Sequence, residues 1–368
     1  MSKNTQAMYW QQLSEQGMVS GEQPEALATS EPWYVRTMLG IAGWIGALFL
    51  LGSLFAGLAF IVESSVAASV LGGVTCLLAV LLYRSAGKND FINQFAFAIS
   101  LAGQTLIIFG VLQGFNIFQG MDTFIAQIRL VALVLVVLQG ALFLLVPNYL
   151  HQVWSAFIGV GAVVFLLNQH GFYPFTLVLL LAALTLLWLQ EFRWVKYGER
   201  VRALGYALVL VTISHLLTQN HFIEEGRFWQ DVFGIQSLGG ATGEHIAALC
   251  LGLVLLGLVV ALLRQASVAL SSGVAIASLV LAGLIAVLGL KAPGIPVGLV
   301  IVLIGFAHAN HILTGLGLLT LVGFVSQFYY LLHLTLLEKS LLLCVSGLVL
   351  LAVRLVLKRY WPKGATHA

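Results

Sequence analysis

Twelve apolar runs, each long enough to cross a bilayer, take up most of the 368 residues, and nearly all charged side chains fall in the short gaps between them. A hydrocarbon core of about 30 Å needs roughly 20 apolar helical residues and penalises stray charge, so the pattern sets solvent and architecture together. Backbone amides in lipid have no water to bond, and the runs are too long for barrel strands, which leaves helices. The expected fold class is all-α: a polytopic transmembrane helix bundle of about 12 spans. Only 8% of residues are charged against 60% hydrophobic. A soluble domain carries about a quarter charged residues to face water, so one of any size is excluded.

The predicted spans are 39–62, 66–83, 91–114, 125–146, 150–167, 174–190, 201–218, 245–263, 268–290, 294–313, 314–334 and 340–357. Orientation follows from the basic residues. With the N-terminus inside, the inner loops and tails hold thirteen Lys and Arg, among them Arg84, Lys88, Arg193, Lys196, Arg200, Arg202 and Lys358, and the outer side holds only Arg129, Arg227, Lys291 and Lys339. Lys and Arg near span ends are retained on the cytoplasmic side, so both termini are expected there. Residues 312–357 are nearly unbroken apolar sequence. As one helix they would reach about 70 Å, so the chain must turn, and Glu338-Lys339 is the place for it.

Three regions frame or interrupt the spans. Residues 1–38 read as a short cytoplasmic helix and linker, with Gly17 as a helix stop, Pro32 in the first turn of the next helix, and Trp33, Tyr34 and Arg36 as interface anchors. The acids Glu15, Glu22, Glu25 and Glu31 are the opposite of a basic signal-peptide start, so the first span is expected to stay as an anchor. The outer gap 219–244 places Phe228, Trp229, Val232 and Phe233 on one helical face, which predicts an amphipathic helix on the membrane surface, or else a partner-docking surface. Residues 358–368 form a basic cytoplasmic tail. Small residues four apart, at Ala42/Gly46, Gly43/Ala47, Gly52/Ala56, Gly273/Ala277 and Gly294/Gly298, predict close helix contacts.

The net charge of +3 comes from basic residues that topology already requires, so no nucleic-acid partner is expected; the partner composition demands is the lipid bilayer. Cys76, Cys250 and Cys344 sit inside apolar runs without ligand spacing and read as packing residues. There is no HExxH, GxSxG, Walker or Gly-rich dinucleotide sequence, so no cofactor is implied, and no nucleophile–base pair is discernible. The pair His308 and His311 has ligand-like spacing but lacks a third ligand and is expected to cap or end a helix; no metal site is expected.

Polar groups inside spans are costly in lipid, so they pair, line cavities or mark pathways. Ser326, Tyr330 and His333 share one face of the eleventh span, with Glu338 just beyond; Arg129 lies about one turn inside the outer edge of the fourth, and His215 stands at similar depth in the seventh. All belong to the outer half. They predict an outer polar cluster of Arg129, His215, Tyr330, His333 and Glu338, with Arg129 paired to Glu338 or Glu63. The alternative is that Arg129 snorkels to headgroups and the others bond between helices as packing glue.

The stretches Gly315-Leu-Gly-Leu-Leu, Phe328-Tyr-Tyr330 and Leu334-Thr-Leu-Leu-Glu-Lys-Ser340, with Pro32-Trp-Tyr-Val-Arg36 and Leu39-Gly-Ile-Ala-Gly-Trp44 near the start, resemble an uncharacterised family of bacterial inner-membrane proteins. That family is classified as a domain of unknown function and is typically encoded beside a membrane-anchored protein with a GDYxxLxY motif. The resemblance implies an inner-membrane bundle, an extracytoplasmic membrane-anchored partner, and no assigned activity or catalytic residues. The family commonly has basic residues near the tenth-to-eleventh turn, where this chain has His308 and His311.

These readings together describe a non-enzymatic membrane component acting with an outer-face partner. The rival is a small-solute transporter, which would share twelve spans, inside termini and a central basic loop at 191–202, with six spans on either side. A polar cavity at mid-depth would favour transport; a solid core beneath an outer groove would favour docking.

Overall fold

A computed structural model describes residues 10–17, 33–57, 64–87, 89–114, 121–219, 238–290 and 292–331, with positions 337, 340, 344, 347, 348 and 351. Every regular element among them is a helix: α1 (Trp33–Gly57), α2 (Ser65–Ala86), α3 (Asp90–Gln113), α4 (Met121–Leu145), α5 (Tyr149–Gln169), α6 (Tyr173–Leu189), a 3-10 helix (Glu191–Tyr197), α7 (Gly198–Gln219), α8 (Gly240–Gln265), α9 (Gly273–Gly289), α10 (Gly294–Ala307) and α11 (His311–Leu331). α2, α3, α4, α5, α7 and α8 are each long and apolar enough to cross a bilayer. The chain is a membrane protein. The eleven α-helices lie on the first eleven predicted runs. Residues 220–237 of the outer gap, Pro32, Glu63, His333, Glu338-Lys339, the tail and most of the last predicted span lie outside the described residues.

Boundaries differ where the sequence supplies a cap. The ninth run was expected from 268, yet α9 starts at Gly273, because the Ser272 hydroxyl accepts from Ala275 N at 3.2 Å and satisfies an otherwise orphaned amide. α11 starts at His311 rather than 314 because Asn310 Oδ1 accepts from Leu313 N at 3.2 Å. Pro293 is the N-cap of α10, so the Pro293–Pro296 stretch marks a boundary and not a broken span. Ahead of α1, residues 10–15 are helical and Gly17, at φ +67°, ends the turn as a left-handed stop.

The chain divides into two compact units. The first holds α1–α3 with the Val146–Asn148 link. α3 packs on both α1 and α2, and small residues let it. A side chain at Gly72 would come within 2.7 Å of Gly103 O, and one at Gly110 within 2.6 Å of Ser65 O, so α2 and α3 touch backbone to backbone. Gly43, one of the predicted contact glycines, meets Phe91 O on α3 in the same way, while Gly52 has open space around it. Trp44 Nε1 donates to Gln94 Oε1 at 3.1 Å across α1 and α3.

The second unit holds α4–α11. α6 is its centre and packs on α5, α7, α8 and α10. Its buried stripe of Leu177, Leu180, Leu181, Leu184 and Trp188 meets Val209, Leu255, Leu258, Ile301 and Ile304 in one apolar core. α10 and α11 close tightly, since Gly294 lies under the Phe324 ring and Gly298 under Leu321; Gly273 faces open space.

Candidate functional site

Polar side chains of the second unit gather at the two ends of its helices. The first group is placed by the antiparallel α4–α5 hairpin. Gln139 packs on Gly159 at mid-length. Ten residues along each helix from that contact, Arg129 meets Gln169. The Gln169 amide oxygen accepts from Arg129 Nε at 3.3 Å and Nη2 at 3.1 Å. Gln169 is buried and Arg129 is exposed, so the amide fixes one edge of the guanidinium and leaves its other end outward.

Beside Gln169, Asn168 Oδ1 lies 2.6 Å from the Thr176 hydroxyl, which joins α5 to α6. One turn back on α6 the Tyr173 ring stands edge-on to His215 of α7, with ring centroids 5.9 Å apart at 71°. Thr212, one turn from His215, is fully buried and donates to Leu208 O at 2.6 Å. The turn that brings these helices together passes through Gly171 at φ +85°, a left-handed conformation that favours glycine. Leu238 N donates to Gly171 O at 2.9 Å and ties the approach to α8 onto the same turn.

Two predicted site residues, Arg129 and His215, thus stand at the same end of the second unit, connected through Gln169, Asn168, Thr176 and Tyr173. Arg129 has Gln169 as its partner; the expected partners Glu338 and Glu63 lie outside the described residues, as does His333. Tyr330 falls in the last turn of α11, with its side chain outside them. Asn168 and Gln169 escaped sequence reasoning because the fifth span was ended at 167, which made them loop. The signal was there: Asn-Gln-His-Gly between two apolar runs places two amides where lipid gives way to water.

At the opposite helix ends, Ser155 Oγ and His151 Nδ1 are 3.1 Å apart on α5, both fully buried. Sequence reading found no hydroxyl–imidazole pair, yet a spacing of four places one on a single helix face. Burial inside the unit gives the pair the character of interior hydrogen bonding. His308 caps α10, with Nδ1 3.0 Å from Ile304 O, and reaches Trp188 O of α6 through Nε2 at 2.9 Å. The helix-ending role expected for His308 is what the geometry shows. Asn310 and Tyr206 exchange hydrogen bonds at 2.8 and 3.0 Å, and Trp188 stands edge-on to both Tyr206 and His308, at 5.7 Å from each. Among the described residues no three His, Cys, Asp or Glu gather as metal ligands do.

Between the two polar groups the interior is mainly apolar, with Gln139 and Thr320 buried within it. Leu180, Leu181 and Leu184 occupy the middle of α6, and the Val, Leu and Ile side chains around them are buried. Polar groups toward both helix ends of a mainly apolar core define an all-helical integral membrane protein. Within that class the chain belongs to the family described as Domain of unknown function (DUF4401), which matches residues 32–360. The match begins at the Pro32-Trp-Tyr-Val-Arg36 entry to the first helix and runs through the C-terminal motifs. No curated protein and no solved structure matches the chain.

Proposed function

We propose that this protein is a non-enzymatic component of the bacterial inner membrane, with twelve spans and both termini cytoplasmic, that works with a membrane-anchored extracytoplasmic partner. The observation that carries the reading is the hydrogen-bonded group at one end of α4–α7, in which buried Gln169 holds an exposed Arg129 beyond the apolar core. A fixed cation at a helix end is suited to gripping an acidic group on a partner, because its orientation is already paid for. The excess of Lys and Arg in the loops opposite that end supports its outward orientation. Tyr330, His333 and Glu338 complete the proposed outer cluster.

Two features weigh against a twelve-helix carrier. α6 and α7 are joined by a short 3-10 segment kinked at Trp194, which packs on both, in place of a long central linker. The units hold three and eight described helices instead of two equal halves.

The test is purification in mild detergent together with the gene-neighbour protein, beside an Arg129→Gln variant. The reading expects a complex from the natural chain and at least tenfold weaker capture by the variant, with enzymatic reporters fused to each terminus active only in the cytoplasm. A natural chain that never forms the complex, or termini on opposite sides, refutes it.

A further inference from the structure

The connection between α6 and α7 carries surface features that helix packing leaves exposed. Seven residues, Glu191–Tyr197, reverse the chain between two apolar helices, so they lie at the membrane boundary. The acid among them is not presented to a ligand: Glu191 is buried and accepts from Arg202 Nε at 2.5 Å. Arg200 is also engaged, donating to Leu144 O at the end of α4 at 3.1 Å. Arg193 and Lys196 are exposed, and so are Trp194, at 49%, and Tyr197, at 48%. The backbone kinks at Trp194, with φ −110° and ψ 35°, and the two cations and two aromatics stand exposed around that kink. Lys196 Nζ stands 5.7 Å from the centre of the Tyr197 ring.

We propose that this segment is a binding site for the phosphate-bearing headgroup of an anionic phospholipid. Exposed indole and phenol rings settle at the depth of lipid glycerol and carbonyl groups, and cations beside them meet the phosphate. A soluble anion would engage the cations alone and leave the two exposed aromatics without a role. The site stands whichever leaflet it occupies; that this is the cytoplasmic leaflet rests on the topology proposed above.

The experiment uses the full-length protein in nanodiscs of phosphatidylcholine with a titrated fraction of brominated phosphatidylglycerol. The quenched signal of Trp194 is taken as the difference from a Trp194→Phe variant. Each cation near an anionic surface is worth about 1 kcal/mol, about fivefold. Saturable quenching by phosphatidylglycerol is therefore expected at a fraction about 25-fold lower than in an Arg193→Gln/Lys196→Gln variant, with brominated phosphatidylcholine giving no such preference and millimolar inorganic phosphate not competing. Arg193→Lys/Lys196→Arg keeps both charges and should retain the preference, which separates binding from misfolding. Equal quenching by both lipids, an unshifted neutralised variant, or displacement by inorganic phosphate overturns the proposal. Loss of the outer-face complex would leave these results untouched.

Discussion

Gly72 and Gly73 are neighbours on α2, yet an added methyl group meets opposite surroundings. At Gly72 it would lie 2.7 Å from Gly103 O and 2.8 Å from Ile107 N of α3; at Gly73 it meets nothing within 4 Å. Both substitutions to Ala gain about 0.5–1 kcal/mol of helix propensity, so that term cancels between them. An ordinary contact needs about 3.4 Å, so at Gly72 the α2 backbone must retreat by roughly 0.7 Å, and a gap of that size forfeits a quarter to a half of each dispersion contact along the seam. Cys76 against Gly103 and Ser69 against Gly110 loosen with it. Overpacking of this kind costs about 1–3 kcal/mol. Gly72→Ala should therefore be less stable than Gly73→Ala by about 2 kcal/mol, close to 30-fold in the folding equilibrium. Unfolding by added SDS in mixed micelles, followed by circular dichroism, reads the difference. If Gly72→Ala unfolds at the same SDS fraction as Gly73→Ala or later, the backbone contact is not there.

Other substitutions test the second unit. Asn310→Ala removes the cap of α11 and both hydrogen bonds with Tyr206 and should cost about 2 kcal/mol in the same assay, with Asn310→Ser recovering roughly half by keeping the cap. A double-mutant cycle of His151→Phe and Ser155→Ala should give a coupling of about 1 kcal/mol; additive losses would show that the two side chains do not interact. Arg202→Met leaves the buried Glu191 carboxylate without its cation and should lower stability, whereas adding Glu191→Gln should restore much of it, read as the thermal midpoint. Asn168→Leu should destabilise by about 1 kcal/mol by removing the α5–α6 hydrogen bond and leaving the Thr176 hydroxyl to donate to Phe172 O alone, so Thr176→Val and Asn168→Leu should be less than additive when combined.

Much of the fold was legible because lipid imposes a one-dimensional rule. Run length and charge placement located all eleven described α-helices without a single tertiary contact, and local chemistry at Gly17 and His308 marked ends that the structure reproduces. Where boundaries slipped, at Ser272 and Asn310, a capping side chain overrode hydropathy, and hydropathy alone does not weigh a cap. The small-residue rule was only half informative: Gly43 and Gly294 are contact points and Gly52 and Gly273 are not, because spacing does not say which face of a helix a neighbour covers.

The site divides in the same way. That Arg129 and His215 are out of place in apolar runs is a property of the sequence, since a polar group within a span is costly wherever the fold later puts its partner. Which groups answer them is a property of the packing: Gln169 reaches Arg129 through the register of an antiparallel hairpin, and the Tyr173 ring reaches His215 because α6 packs on α7. Membership of a membrane and the order of its helices are thus written in residue-by-residue transfer energies, which add along the chain. Partnership among polar groups depends on distances across helices far apart in sequence, and only the tertiary structure sets those.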